Sequence, residues 1–213
     1  MKVGVLGSGV VGQVLADGLL KHGHEVMRGS RDPTKLAAWK AHHGAHAHVG
    51  AFAEAARFGY LVVLAVKGSA AVEAVAACGS ELDGKAVLDA TNPIAEEPPQ
   101  DGVLRFFTGP NDSLMERLQA KAPAAHFVKA FSCVGNALMV NPDLPGGPPT
   151  MFICGDDESA KHQATELLRQ FGWGVEDMGR AAAARAIEPL CMLWCIPGLR
   201  QNRWQHAFRL LTR

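Results

Sequence analysis

Short apolar runs rich in β-branched residues alternate, over the first two thirds of the chain, with longer alanine-rich segments whose apolar positions recur at helical spacing. The runs predict strands over 2–6, 25–28, 46–49, 61–66, 86–90 and 127–131. Several are apolar at every position, the pattern of a strand covered on both faces. The intervening segments predict helices over 11–22, 34–43, 52–58, 70–78 and 113–122, each bounded by Gly, Pro, Asp or Ser. Strands that alternate with helices and cross over right-handedly form a doubly wound parallel sheet. The fold class expected is therefore α/β, Rossmann-type, with a mostly parallel sheet.

The Pro/Gly cluster at 141–149 (NPDLPGGPP) interrupts this rhythm and reads as a loop. Beyond it the pattern predicts a strand over 151–154, a helix over 158–171, a strand over 175–178 and a final helical region from Arg180, broken near Pro197. The division expected is a dinucleotide-binding domain over 1–132 and a short strand/helix extension over 133–213 packed on it, completing a cleft or a dimer interface. No fixed-period repeat is present.

Composition narrows the field. The 213 residues carry 21 Lys+Arg and 21 Asp+Glu, so no global field recruits nucleic acid or an anionic membrane. The longest strongly apolar stretches, 61–66 and 190–196, fall short of the roughly 20 residues that span a bilayer, and no transmembrane helix is expected. The start, MKVGVLGSGVVG, lacks the features of a signal peptide, which favours the cytoplasm. Cys78, Cys133, Cys154, Cys191 and Cys195 form no CxxC pair and read as buried reduced thiols.

The chemistry begins at Gly7-Ser8-Gly9-Val10-Val11-Gly12, directly after the strand KVGVL and opening a helix. Gly7 permits a tight turn, Gly9 lets backbone approach a pyrophosphate, Gly12 allows close helix–strand packing, and the helix N-terminus supplies amide donors. At the end of the second strand, where a site for NAD usually places a carboxylate, the chain reads Val26-Met27-Arg28-Gly29-Ser30-Arg31. Ser30 as a donor and Arg31 as a planar fork suit a 2′-phosphate, which favours NADP. Lys35 is either a third positive group beside them or a solvated surface lysine, and Arg28 adds to the local positive cluster. Asp32, before Pro33, reads as a helix N-cap. Ala65, Val66 and Lys67, and then Asn92 and Pro93, lie at the carboxyl ends of predicted strands, where open α/β sheets bind ligands. Asn92 suits ribose or the nicotinamide amide, with simple turn formation as the competing reading. Phe131 reaches the same edge or belongs to the core.

These motifs, GSGVVG, GSRDP, DATNP and VKAF, resemble the F420-dependent NADP reductase family and, more distantly, the oxidoreductase domain of the STEAP metalloreductases. The resemblance implies a small domain that binds NADPH, a C-terminal extension that completes a cleft, and hydride passing between nicotinamide and the deazaflavin F420 or a flavin. It implies that residues 7–12 cradle pyrophosphate, that Ser30, Arg31 and Lys35 hold the 2′-phosphate, and that Ala65, Val66 and Asn92 line ribose and nicotinamide. Where family members commonly carry Asn after Ala-Phe, this chain has Ser132-Cys133.

Hydride transfer between stacked rings needs positioning more than a general acid or base, so no catalytic side chain is expected. Cys133 has no identifiable His partner and reads as a buried thiol. His42, His43, His46 and His48 lack the spacing of a metal site, and no metal is expected. The apolar segment 186–195 reads as core, interface or cleft wall. The partner expected is a small-molecule redox acceptor; a homodimer stays open. Two readings remain beside the reductase: an imine or 3-hydroxyacid reductase, and a non-catalytic NADP-binding sensor.

Overall fold

Lys2–Leu6 (β1) is buried from its second residue onward. It sits mid-sheet because neighbours on both sides take up its backbone groups, Glu25–Gly29 (β2) on one side and Leu61–Leu64 (β4) on the other. In the computed structural model, which describes residues 1–212, Ala47–Gly50 (β3), Ala86–Asp89 (β5) and His126–Lys129 (β6) complete a six-stranded parallel run. Thr150–Gly155 (β7) then adds antiparallel to β6, and Gly174–Asp177 (β8) adds parallel to β7. The full order is β3-β2-β1-β4-β5-β6-β7-β8. The strands lie within a residue or two of their predicted bounds, and the fold is the expected Rossmann-type α/β sheet.

Helices cover both faces. Val10–Lys21 (α1), Ala37–His42 (α2) and Glu158–Gln170 (α6) close one core, with Leu15, Leu19, Trp39, Ala164 and Leu168 against Val3, Val63 and Val128. Phe52–Phe58 (α3), Ala71–Cys78 (α4), Leu114–Lys121 (α5) and the short Ala184–Ile187 (α7) close the other, over Leu6, Leu64, Val87 and Phe127. Strands buried on both sides are why these runs read as continuously apolar.

Two parts of the extension differ from the sequence pattern. Leu190–Gln201 (α8) runs through Pro197 instead of breaking there. Pro197 has no N–H to give the Leu193 carbonyl four residues earlier, and Leu193 lies on the exposed side of the helix, where that loss costs least. The helical stretch Ala181–Gln201 is, by length and composition alone, long and apolar enough to cross a membrane, a property that the core helix of a globular domain shares. Here, however, it carries Glu188, only 1% exposed, into the domain interior. The residues after α8 fold back: Trp194 Nε1 donates to the His206 carbonyl at 2.8 Å, and the Leu210 N–H donates to Thr150 Oγ1 at 3.0 Å.

Candidate functional site: a cleft at the carboxyl edge of the sheet

The first turn after β1 is built by exclusion. A Cβ on Gly7 would lie 2.3 Å from the Ala65 carbonyl oxygen, and one on Gly12 would lie 2.7 Å from the Gly7 oxygen. Gly7 also has φ +150°, which L side chains rarely adopt. Gly9 differs: a Cβ there would meet nothing within 4 Å, because the position faces open space at the start of α1. Two glycines thus permit close packing, and the third keeps the approach to the helix N-terminus clear.

Beside this turn lies a cavity of about 280 Å³ lined by Ser8, Gly9, Ser30, Arg31, Lys35 and Lys67, among others. A second, of about 330 Å³, is lined by Val10, Val11, Thr91, Asn92 and Ile94. Both share Gly9, Ala65, Val66 and Lys67, so they form one elongated cleft along the carboxyl ends of β1, β2, β4 and β5. A wider groove of about 800 Å³, with His126, Asp157 and Arg180 in its wall, opens near the start of β6, the opposite edge, away from the glycine turn.

In the first cavity Arg31 is exposed and only loosely tied, with Glu73 at 3.9 Å. Ser30 is buried at the β2 end, its Oγ accepting from the Asp32 N–H at 3.2 Å. Asp32 caps the turn over Pro33–Leu36 by accepting from Thr34, the N-cap role expected of it. Lys35 faces the same space. Arg28 does not join this group. It is buried beneath the glycine turn, where its Nη2 donates to the Gly7 and Gly9 carbonyls at 3.1 and 3.2 Å, so the expectation of an accessible Arg28 is corrected.

In the second cavity the Asn92 Oδ1 is buried with no hydrogen-bond partner among the described residues. The Asn92 backbone is held close over the start of α4, since a Cβ on Gly68 would lie 2.0 Å from its carbonyl oxygen. Pro93 is buried behind this turn, its carbonyl accepting from the Phe107 N–H at 2.9 Å, and it lines neither cavity. Phe131 is a correction: it is fully buried in the core, at φ 60°, and lines neither cavity. The backbone bends inward immediately after β6, which turns the ring from the edge.

Composition and motif matching passed over the network behind Asn92. Asp89 and Lys129, opposite each other at the ends of β5 and β6, are both fully buried, with Nζ 3.0 Å from Asp89 Oδ2. The Thr91 N–H and Oγ–H donate to Asp89 Oδ1 at 2.9 and 2.7 Å, and the Lys129 ammonium donates to the Thr91 carbonyl. Glu188 lies 3.2 Å from the same ammonium and accepts the Leu114 and Met115 N–H groups at the start of α5, both at 3.0 Å. Burial disfavours the charged lysine, but attraction by Asp89 and Glu188 outweighs it and raises the Lys129 pKa. A single charged residue within an otherwise apolar predicted strand, Asp89 in 86–90 and Lys129 in 127–131, was the available signal, since such a group needs a partner.

The histidines run to separate partners: His43 to Asp17, His48 to Glu25, and His42 to the Ala38 carbonyl. The cysteines are all free.

Residues 2–93 match the family described as NADP oxidoreductase, coenzyme F420-dependent. A crystal structure from Arthrobacter sp. FB24, of a protein assigned provisionally to the F420-dependent NADP-reductases, is 32% identical over the whole of both chains, with a TM-score of 0.92. The chain belongs to the coenzyme F420-dependent NADP oxidoreductase family. Metalloreductase STEAP3 of Rattus norvegicus is 33% identical over 203 residues, 93% of this family member, which spans only 38% of that longer protein. An imine reductase from Streptomyces aurantiacus shares the fold, at 17% identity and a TM-score of 0.67 over 93% of this chain and 63% of that one.

Proposed function

We propose that this family member is an NADP(H)-dependent oxidoreductase that exchanges hydride with a flavin-like or deazaflavin acceptor such as F420. The observation that carries the reading is the cleft itself. A glycine turn with open approach at Gly9 joins a positive end at Arg31 and Lys35 to an end whose wall includes Asn92, which carries a buried oxygen with no partner among the described residues. NADP fits this donor set: Ser30, Arg31 and Lys35 would hold the 2′-phosphate, residues 7–12 the pyrophosphate, and Asn92 the nicotinamide carboxamide, whose N–H groups suit an unpartnered oxygen. When bound, the nicotinamide would supply a transferable hydride.

The residues of this chain supply position and exclusion. The Thr91–Asn92 turn is fixed from behind by Asp89 and Lys129, so Asn92 meets a ligand with little reorganisation. Val10, Val11 and Ile94 line that end with apolar surface, which suits a planar ring better than water. No general acid or base is required, and none is assigned.

The five free cysteines suit a reducing compartment, and we place the enzyme in the cytoplasm. Its partner is proposed to be a diffusible redox acceptor; the half-exposed apolar residues Leu193, Ile196 and Leu199 along α8 leave room for a second copy. The test is oxidation of NADPH, followed by nicotinamide absorbance, against F420, FMN, FAD, quinones, ferric chelates and a cyclic imine. Turnover with F420 or a flavin is expected. Reduction of the imine alone would replace this reading with the imine reductase one, and tight NADPH binding with no turnover would leave a nucleotide sensor.

A further inference from the structure

We infer that Arg28 is the positioning residue of the pyrophosphate site, acting from beneath the glycine turn on the diphosphate of a dinucleotide it does not touch. The inference rests on the NADP reading and adds a residue to it.

Arg28 is 1% exposed, on β2 between Val5 of β1 and Val49 of β3. Its guanidinium lies over the Trp39 ring at 5.0 Å and gives two hydrogen bonds from Nη2, to the carbonyls of Gly7 and Gly9. Its Nε has no partner among the described residues. The carboxylate that acts on it, Asp17, is engaged elsewhere, accepting from Trp39 Nε1 at 2.6 Å and lying 3.1 Å from His43 Nε2. The cation is thus held by neutral dipoles and a ring face, without a hydrogen-bonded counter-ion. A buried charge in that state is unfavourable unless an anion comes near, and the glycine turn lies between it and the cleft.

Peptide geometry adds a second effect. In a trans peptide the C=O and N–H point in opposite directions, and the chain has no cis bond among the described residues. Drawing the Gly7 and Gly9 carbonyls toward Arg28 therefore turns the Ser8 and Val10 N–H groups the other way, to the side where Ser8 and Val10 line the cleft. Without the guanidinium, no other hydrogen bond among the described residues holds the Gly7 carbonyl down, and a carbonyl turned outward would oppose an anion. Arg28 thus orients the amide donors and places positive charge behind them. The Gly9 carbonyl also accepts the first α1 hydrogen bond, from the Gln13 N–H at 3.0 Å, so the pinned turn and the helix start are one unit.

This assigns Arg28 a different ligand group from Arg31, and titration calorimetry separates them. For Arg28→Met, affinity for NADPH and for NADH should both fall about tenfold, by a similar factor, because both carry the diphosphate and both lose amides oriented by charge-assisted bonds. Affinity for 2′-AMP, which has adenine and the 2′-phosphate but no diphosphate, should stay within about twofold. A loss confined to NADPH would overturn the inference by making Arg28 a 2′-phosphate reader. An equal loss for 2′-AMP would overturn it by showing a general collapse of the site, and unchanged NADPH and NADH affinity would do so directly. Should R28M not fold, R28K, which keeps the charge but not the paired carbonyl bonds, should show the same pattern at about threefold; no change would again overturn it. Wild-type protein that binds neither dinucleotide would overturn the cofactor reading itself, a result distinct from every outcome among the variants.

Discussion

The Lys129 ammonium lies 3.2 Å from Glu188 Oε1, with both side chains shut away from water, so an ion pair ties the end of β6 to the boundary between α7 and α8. The same ammonium holds Asp89 and the Thr91 carbonyl. The C-terminal extension is therefore bonded to the turn that presents Asn92.

Removing one member of such a group leaves buried charge uncompensated. Lys129→Met should destabilise the protein by about 3–5 kcal/mol, because Asp89 and Glu188 then face each other without a cation. The triple variant K129M/D89N/E188Q should recover most of that loss. Urea unfolding of both variants checks this, and a mild effect for K129M alone would show that the carboxylates find other compensation.

The glycine turn separates folding from binding. Gly7→Ala, with its Cβ driven at the Ala65 carbonyl and its backbone at φ +150°, should lower stability by at least about 2 kcal/mol. Gly9→Ala, at an ordinary φ of −78° and facing open space, should change stability by less than about 0.5 kcal/mol yet weaken NADPH at least about tenfold, since its methyl occupies the approach to the helix N-terminus. Thermal unfolding and calorimetry on the two variants give the comparison.

Arg31→Ala should cost NADPH far more affinity than NADH, because only NADPH carries the 2′-phosphate, and the weak 3.9 Å contact with Glu73 leaves the guanidinium free to reach it. A preference for NADPH that falls by about tenfold or more is expected. Equal losses for the two nucleotides would show that Arg31 reads something common to both.

Thiol reactivity should be confined to one cysteine. Burial pushes the Cys133 thiol up to about 11 and those of Cys78 and Cys154 up to about 12, so they stay protonated and unreactive at about pH 8. Cys195 is different. The hydrogen bond from Cys191 holds its pKa below the ordinary cysteine value, while Cys191 is pushed the other way. A disulfide exchange reagent should therefore label a single thiol in folded protein, with all five exposed on unfolding, and C195S should abolish the fast reaction.

Much of this was legible in the chain because the strands are buried on both faces, which leaves unbroken apolar runs, and because Gly7, Gly9 and Gly12 follow a strand directly. Ser30 and Arg31 were found by the absence of a carboxylate, a local signal. The remainder depends on distant partners. Arg28 lies beneath the turn among the Gly7 and Gly9 carbonyls and the Trp39 ring, and Lys129 takes its meaning from Glu188, far along the chain. Phe131 reads as the last residue of its strand, but the strand ends two residues earlier, at Lys129, and Phe131 at φ 60° is buried in the core. The excursion between β5 and α5 gave little pattern because its tip is held by tertiary contact, with Gly102 against Arg200 of α8.

The wall shared by the two cavities makes the cleft bivalent. Gly9, Ala65, Val66 and Lys67 belong to both halves, so a ligand seated in one half holds its other end at high local concentration beside the second. Separate nucleotide halves would each bind weakly and independently. Joined by a diphosphate of the right length, they would gain an affinity that no single contact in either half supplies, with the linker expected over the turn that Arg28 is proposed to hold down.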